Sequence, residues 1–165
     1  MKSLLFIHGP NGVGKTTVCA RLHRRLAQSS WLDSEWCRMI NPFDLTPEVE
    51  ALTERHMSVL LRGYLECSLV QYVVFNYGLH GPRKRIFENV MSSLSDLRFD
   101  FVPIILTCSE AENVRRMRQD GRDEERIQRG LGIRALYEEL EGRRIDTTDL
   151  TVEQTVEAIL AMVWG

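Results

Sequence analysis

The chain has 165 residues, of which 44% are apolar and 27% charged, and this balance is typical of a soluble globular protein. The length suits one domain with a sheet covered on both faces. Its formal charge of −2 gives no general attraction for nucleic acid, and its four cysteines contain no C-x-x-C pair that would predict a zinc site or a disulfide framework. No apolar run reaches membrane-spanning length, and the N-terminus leads directly into an apolar strand. We therefore expect a cytoplasmic protein with no signal peptide.

Strand and helix signals alternate along the chain. Five short apolar or β-branched runs predict strands, at residues 4–7, 29–33, 70–75, 101–107 and 144–147. A helix is predicted after each strand, and two of these helices begin at capping boxes, at residues 109–112 and 151–154. This alternation predicts an α/β fold over residues 1–165: a single domain with a three-layer, doubly wound, five-stranded parallel sheet and helices on both faces.

Three local predictions test this assignment. The second helix, which begins at the Thr46-Pro47 cap, is expected to bury the stripe of Leu52, His56, Val59, Leu60, Gly63, Tyr64 and Cys67. Pro103 is expected to move the start of the fourth strand toward an edge or a bulge, because proline cannot donate to a ladder. An Arg-rich helical region should follow the fourth strand and break near Gly121.

The residues Gly9-Pro10-Asn11-Gly12-Val13-Gly14-Lys15-Thr16 match the phosphate-binding P-loop pattern G-x-x-x-x-G-K-[ST]. The pattern lies between a predicted strand and a predicted helix, as a P-loop requires. Glycines let successive amides point at phosphates, the helix N-terminus adds positive charge, Lys15 reaches the β- and γ-phosphates, and the Thr16 hydroxyl ligates Mg²⁺. The nucleotide-binding residues predicted from this loop are Gly9, Asn11, Gly12, Val13, Gly14, Lys15, Thr16 and Thr17.

Asp33 falls at the carboxyl end of the second predicted strand, on the P-loop side of the sheet. A carboxylate there either holds Mg²⁺ or accepts the proton of an attacking hydroxyl, and Glu35 is positioned to share that work. The structural alternative is a helix cap or turn. The third strand ends in Asn76, where many P-loop ATPases and GTPases place a metal-binding Asp, and His80 in the following loop faces either substrate or solvent.

Arginines cluster on both sides of the predicted break at Gly121. We predict a lid over about residues 115–130, whose arginines neutralise the transferring phosphoryl group, with Arg116 and Arg122 as catalytic candidates. The alternative is a solvated helix surface, because Asp123, Glu124 and Glu125 lie close enough for ion pairs. The clustered arginines are Arg115, Arg116, Arg118, Arg122, Arg126 and Arg129.

These features together resemble the small P-loop kinases that include shikimate kinase, gluconate kinase, adenylate kinase and chloramphenicol phosphotransferase, over nearly the whole chain. The resemblance implies that Asp33 is the catalytic base, that Arg116 and Arg122 are lid residues, and that residues 146–149, Asp146 among them, border the adenine. It also implies ATP and Mg²⁺ as cofactors.

The sequence departs from these kinases around the acceptor. No Gly-Gly pair follows the third strand, Glu35 stands where shikimate kinases have a second Asp, and neither the thymidylate kinase nor the adenylate kinase acceptor pattern is present. The similarity is greatest to poorly characterised nucleotide-kinase-like members. Trp36 and Phe43 either stack on a ring or pack the second helix, and Arg38 is suited to an anionic substrate.

The leading hypothesis is an ATP-dependent phosphotransferase that acts on a hydroxyl or phosphate of a small molecule, with no nucleic-acid or membrane partner. Its predicted acceptor site contains Asp33, Glu35, Trp36, Arg38 and His80, and its metal site Thr16 and Asp33. The alternatives are an ATPase acting on a macromolecule, such as a polynucleotide 5′-hydroxyl, and a nucleotide-dependent switch. The switch predicts an Asn/Thr-Lys-x-Asp guanine reader, and residues 103–112 contain none.

Overall fold

The computed structural model describes residues 1–164 and contains five parallel strands connected by helices. The strands are β1 (Lys2–His8), β2 (Ser29–Asp33), β3 (Tyr72–Asn76), β4 (Phe99–Thr107) and β5 (Arg143–Asp146). The helices are α1 (Lys15–Arg25), α2 (Pro47–Glu66), α3 (Arg83–Ser93), α4 (Glu110–Gln119), α5 (Glu124–Gly132), α6 (Arg134–Glu138) and α7 (Val152–Trp164), with a 3₁₀ helix at Ser34–Arg38. Across residues 1–164, no helix has the length and apolar character needed to span a bilayer.

The strands are ordered β2-β3-β1-β4-β5, with β1 at the centre of the sheet. Successive β1 residues alternate between two apolar clusters: Leu4 and Phe6 pack on one face, and Leu5 and Ile7 on the other. Helices α2 and α3 cover the first face, and α1 and α7 cover the second. The doubly wound sheet predicted from the alternating pattern is therefore confirmed. Because all strands are parallel, their carboxyl ends meet at one edge, where ligands bind in this class of fold.

The buried face of α2 differs from the predicted stripe. The residues that reach the core are Thr53, Met57, Leu61 and Leu65, whereas Val59 is 64% exposed and Leu60 is 40% exposed. The sequence carries two apolar stripes offset by one residue, and helical periodicity alone does not choose between them. Packing against the sheet face and α3 selects the stripe that contains Met57 and Leu61.

Pro103 lies inside β4, a strand paired on both sides for part of its length. It faces Phe6 of β1 on one side, while pairing with β5 begins only at the next residue, Ile104. The edge prediction, which concerned the start of β4, is therefore confirmed, because the residues before Ile104 pair with β1 alone.

The Arg-rich region is helical and breaks at the predicted place. Helix α4 ends at Gln119, Gly121 adopts a φ of 72°, and α5 begins after Asp123, which caps it by accepting a hydrogen bond from the Arg126 amide. Two short helices, α5 and α6, then lead back to the sheet at β5.

Candidate functional site

The P-loop follows β1 as a tight turn in the left-handed region of the backbone. Gly9 has a φ of 148°, and a Cβ at this position would lie 2.3 Å from the carbonyl oxygen of Leu106 in β4, so no other residue fits. The Lys15 ammonium donates to the carbonyl oxygens of Gly9 and Pro10, each at 2.9 Å. Burial lowers the pKa of Lys15 to about 8. A phosphate in the loop would restore the balance of charge around this buried cation.

Thr16 and Asp33 meet at the mouth of the P-loop. The Thr16 hydroxyl donates a 2.7 Å hydrogen bond to Asp33 Oδ2, and Asp33 Oδ1 accepts from the Glu35 amide at 2.9 Å, which caps the 3₁₀ helix. The cap expected as the alternative for Asp33 is therefore confirmed, and the same carboxylate contacts Thr16 of the P-loop. Asp33 is 2% exposed, and its carboxylate and the Thr16 hydroxyl offer the two hard oxygen ligands that fit Mg²⁺, an ion that otherwise takes phosphates and water.

Three connected clefts open at the carboxyl edge of the sheet. The base cleft, about 550 Å³, lies between the P-loop and the loop after β5; the phosphate cleft, about 250 Å³, runs along Lys15 and Thr16 to Asp33; the outer cleft, about 1220 Å³, extends beyond Asp33. Residues that line both the phosphate cleft and the outer cleft are Asn11, Thr16, Asp33, Glu35, Arg83 and Arg122.

Arg116 lines the base cleft. Its guanidinium donates to the carbonyl oxygens of Val13 at 3.0 Å and Thr147 at 2.7 Å, and also to the Thr147 hydroxyl and the Glu112 carboxylate. Hydrogen bonds from Arg115 and Arg116 lower the pKa of Glu112 to about 2. These contacts favour a role for Arg116 in shaping the nucleotide site.

Asp146 was expected beside the base, but its carboxylate turns to its own loop and does not line the base cleft. It accepts hydrogen bonds from the Thr148 amide at 2.9 Å and hydroxyl at 2.5 Å, and these bonds lower the pKa of Asp146. The residues that follow it, 147–152, form that wall of the cleft instead. The carboxylate therefore caps the turn that leads into this wall.

The remaining P-loop residues lie where the motif predicts. Gly12, Gly14 and Thr17 line both the base and the phosphate clefts, and Val13 lines the base cleft. Arg122 lies across the phosphate cleft from the P-loop, with its guanidinium 3.6 Å from Asp120. Among the clustered arginines from Arg115 to Arg129, it is the one that lines the phosphate cleft.

The residues predicted for the acceptor all line the outer cleft: Asp33, Glu35, Trp36, Arg38 and His80. Arg38 is 7% exposed and forms an ion pair with Glu35. Trp36 is half exposed and packs its edge against Trp31, with 4.7 Å between ring centroids. Burial first, then the charges of Arg83 and Lys15, lower the pKa of His80 to about 4, so its imidazole is neutral near pH 7.

Asn76, at the end of β3, has a structural contact. Its side-chain oxygen accepts a 2.8 Å hydrogen bond from the indole N–H of Trp31. This bond joins the ends of β2 and β3 beside Asp33, and so helps to position the strand end that presents the carboxylate.

Arg83 is a site residue that the sequence analysis did not single out. It lies at the first position of α3, lines both the phosphate and outer clefts, and stands 6.0 Å above the Tyr77 ring. The only sequence signal is a cation placed soon after the third strand, where the chain returns from the ligand-binding edge. A lone arginine after a loop is too common to be chosen on that basis.

A second group of missed residues connects α4 and α6 to the loops at the carboxyl edge of the sheet. Buried Asn113 donates to the Asn11 carbonyl oxygen at 2.9 Å and accepts from Arg134 at 3.0 Å. The Tyr137 hydroxyl accepts from the Leu79 amide at 2.8 Å, next to His80. These contacts join residues 21 to 102 positions apart, so local patterns give no sign of them.

A family model described as an AAA domain matches residues 5–146. No curated protein is significantly similar in sequence. Similar solved structures include the tunicamycin resistance protein of Deinococcus radiodurans, with 22% identity and a TM-score of 0.70 over 99% of this chain and 96% of that one. Shikimate kinase from Acinetobacter baumannii in complex with shikimate has 19% identity and a TM-score of 0.65, over 99% of this chain and 93% of that one.

The APS kinase of Mycobacterium tuberculosis, in complex with AMPPNP and APS, has 12% identity and a TM-score of 0.65 over 99% of this chain and 98% of that one. At these identities the likeness concerns the fold. The resemblance to small P-loop kinases expected from the sequence is confirmed at that level.

Proposed function

The chain belongs to the AAA domain family, its fold is that of small P-loop kinases, and from this premise we propose that it transfers the γ-phosphate of Mg·ATP to a small-molecule acceptor. The observation that carries the proposal is the 2.7 Å contact between Thr16 and Asp33, at the junction of the phosphate cleft and the outer cleft. A P-loop by itself supports nucleotide binding. A buried carboxylate between that loop and a second, larger cleft supports transfer to a molecule bound there.

Each residue has a role in this proposal. An acceptor oxygen in the outer cleft attacks the γ-phosphorus, the bond to the β–γ bridging oxygen breaks, and the Asp33 carboxylate takes the acceptor proton. Lys15 and Arg122 neutralise the charge that develops on the transferred group. Thr16 and Asp33 would hold Mg²⁺, which screens the phosphate charges, and Arg116 with residues 147–152 would form the base-binding wall.

We propose that residues 1–165 act as one P-loop kinase domain with a lid at about 115–130. Three arginines of this segment, Arg122, Arg126 and Arg129, line the outer cleft, and its central Gly121 has a φ of 72° with open space where a side chain would stand. Closure over a bound triphosphate would bring Arg122 and Arg126 toward the transferred group and exclude water.

The test is ADP release with Mg²⁺ across a panel of nucleosides, nucleoside monophosphates, sugar acids and hydroxylated antibiotics. Acceptor-dependent turnover in the wild type, lost in Lys15→Ala and kept in Lys84→Ala, supports the proposal. Lys84 is a matched control because it is exposed on α3, outside all three clefts. ATP binding without turnover on any acceptor would contradict transfer to a small molecule and direct the search to a macromolecular substrate.

A further inference from the structure

We propose that the acceptor carries a phosphate or carboxylate group beside an aromatic ring, and that Arg83 binds this anionic group. The inference rests on the proposed function, because the outer cleft is an acceptor site only if phosphoryl transfer occurs next to it. It adds the chemical class of the acceptor and a residue that selects it.

The outer cleft has a marked excess of positive charge. Five arginines line it, against the two carboxylates of Asp33 and Glu35. Four of these arginines have an acidic partner: Arg38 pairs with Glu35, while Arg122, Arg126 and Arg129 lie 3.6–3.9 Å from acids of the lid. Within residues 1–164, Arg83 alone among the five has no carboxylate at salt-bridge distance.

Arg83 is also held in place without using its hydrogen-bond donors. Its guanidinium stands over the buried Tyr77 ring, and within the described residues no protein oxygen accepts from it. Burial, and then the nearby Arg38 charge, lower the pKa of Arg83 from its ordinary value. A partly buried, unpaired guanidinium with free donors is suited to a bidentate bond with a phosphate or carboxylate.

The neighbouring loop leaves room for such a group. A Cβ on Gly78 would lie 3.5 Å from Arg83 Nη1 and 3.1 Å from His80 Nδ1, so glycine at this position keeps the approach open. His80 Nδ1 is buried without a hydrogen-bond partner among the described residues. Because the imidazole is neutral, it can form a hydrogen bond with the acceptor without adding a charge.

The ring is inferred from the apolar side chains that line the same cleft. Trp36 and Phe43 are each 49% exposed and Met39 is 81% exposed, and all three line the outer cleft. Large apolar side chains left open to solvent beside a charged pocket are typical of a binding site for a ligand with both characters. The outer cleft, with a volume of about 1220 Å³, is larger than the base cleft and accommodates a ring together with its anionic substituent.

The experiment measures tryptophan fluorescence while phenyl phosphate, benzoate, inorganic phosphate or phenol is titrated into the full chain. Because phosphate also binds P-loops, Mg·ADP first saturates that site. We expect phenyl phosphate or benzoate to bind at least tenfold more tightly than phenol and inorganic phosphate, and the two anionic probes distinguish a phosphate from a carboxylate site. Trp36→Phe should abolish the signal.

Arg83→Met should lower the affinity for the anionic probe that binds more tightly to the wild type at least tenfold, as expected for loss of a charge-assisted hydrogen bond. Arg85→Met is the control, because Arg85 lies on the same helix, is 67% exposed and pairs with Glu50. Equal binding of phenol and the anions, or unchanged affinity in Arg83→Met, would overturn the inference. Failure of the wild type to bind Mg·ADP would instead contradict the proposed function.

Kinetics separate the acceptor role from a role in transfer. With an acceptor identified from the panel, Arg83→Met should raise the KM for that acceptor at least tenfold while the KM for ATP stays unchanged. A loss confined to kcat would show that Arg83 acts on the transferring phosphoryl group, and would overturn the inference.

Discussion

Arg116 of α4 donates hydrogen bonds to both the hydroxyl and the carbonyl oxygen of Thr147, the residue that follows β5. A third bond reaches the Val13 carbonyl in the P-loop. One guanidinium thus connects the phosphate-binding loop with the wall of the base cleft, so that both are held in one arrangement before a nucleotide arrives.

We predict that Arg116→Met lowers the free energy of unfolding by about 1–3 kcal/mol, because polar groups of Val13 and Thr147 lose their donor. Nucleotide affinity should fall with it, since the two walls of the base cleft are no longer connected. Urea unfolding and an ADP titration measure the two effects. Arg118→Met is the stability control, because Arg118 is exposed and lies 3.6 Å from its only ion-pair partner in the described chain, Glu124. Equal stability of the two variants would contradict the prediction.

Asp33→Asn should reduce turnover at least ~100-fold, the scale of a lost general base. The amide keeps an oxygen for the Glu35 amide but no longer takes a proton from the acceptor. Steady-state rates at several Mg²⁺ concentrations test this result. If high Mg²⁺ restores turnover, the carboxylate acts on the metal; full turnover at all concentrations would remove Asp33 from the chemistry.

The lowered pKa of Lys15 predicts a pH dependence. The ammonium is charged below about pH 8 and neutral above it in the free protein. Bound phosphate favours the charged form and raises the pKa, so nucleotide binding should weaken as the pH rises above 8 and should take up a proton there. Calorimetry of ADP binding at pH 8.5, in two buffers of different ionisation enthalpy, measures this proton. Equal heats in both buffers would contradict the prediction.

The lowered pKa of Lys15 also affects the stability of the free protein, which should increase with pH although nucleotide binding weakens. Between about pH 8 and the ordinary lysine value of 10.5, the unfolded chain binds more protons at this position than the folded one. The contribution of Lys15 to the free energy of unfolding therefore increases with pH across that interval. Below pH 8 the ammonium is charged in both states, and the full cost of burying its charge lowers the stability of the folded chain. Urea unfolding of wild type and Lys15→Met at pH 7.5 and 9.5 isolates this contribution. A stability difference that does not change with pH would contradict the shift.

Two glycines should respond oppositely to alanine. At Gly9 the added Cβ would lie 2.3 Å from the Leu106 carbonyl oxygen, and a backbone atom within a sheet cannot move aside. We therefore expect Gly9→Ala to lower the free energy of unfolding by about 3 kcal/mol or more. Gly63 lies within α2 with open space around it, so Gly63→Ala should raise the free energy of unfolding by about 0.5–1 kcal/mol. Chemical denaturation of both variants tests the pair. Similar changes in stability at the two positions would show that the contact with the Leu106 carbonyl is not what makes alanine destabilising at position 9.

Much of the site follows from local sequence. The P-loop is contiguous, and a strand that ends in Asp33 places its carboxylate at the ligand edge of any parallel sheet. The error in α2 has a different source, because Leu60 and Leu61 belong to two apolar stripes of similar strength, and only the sheet surface distinguishes them. The resemblance to small P-loop kinases implied that Asp146 borders the adenine, and the structure adds its contacts with Thr148, which local sequence does not show.

The sequence by itself determined the fold class, the phosphate-binding loop and the strand-end acid, since each depends on residues that are neighbours along the chain. The tertiary structure decided which arginine of the outer cleft lacks an acidic partner, which arginine connects the P-loop to the base cleft, and how Asn113 and Tyr137 attach α4 and α6 to the loops of the site. These properties depend on which charges and carbonyl groups are brought together across dozens of residues. Arg83 is one of many arginines in the sequence, and its distinction arises because folding places it in the outer cleft, where it is the one of five lining arginines without a carboxylate at salt-bridge distance in residues 1–164.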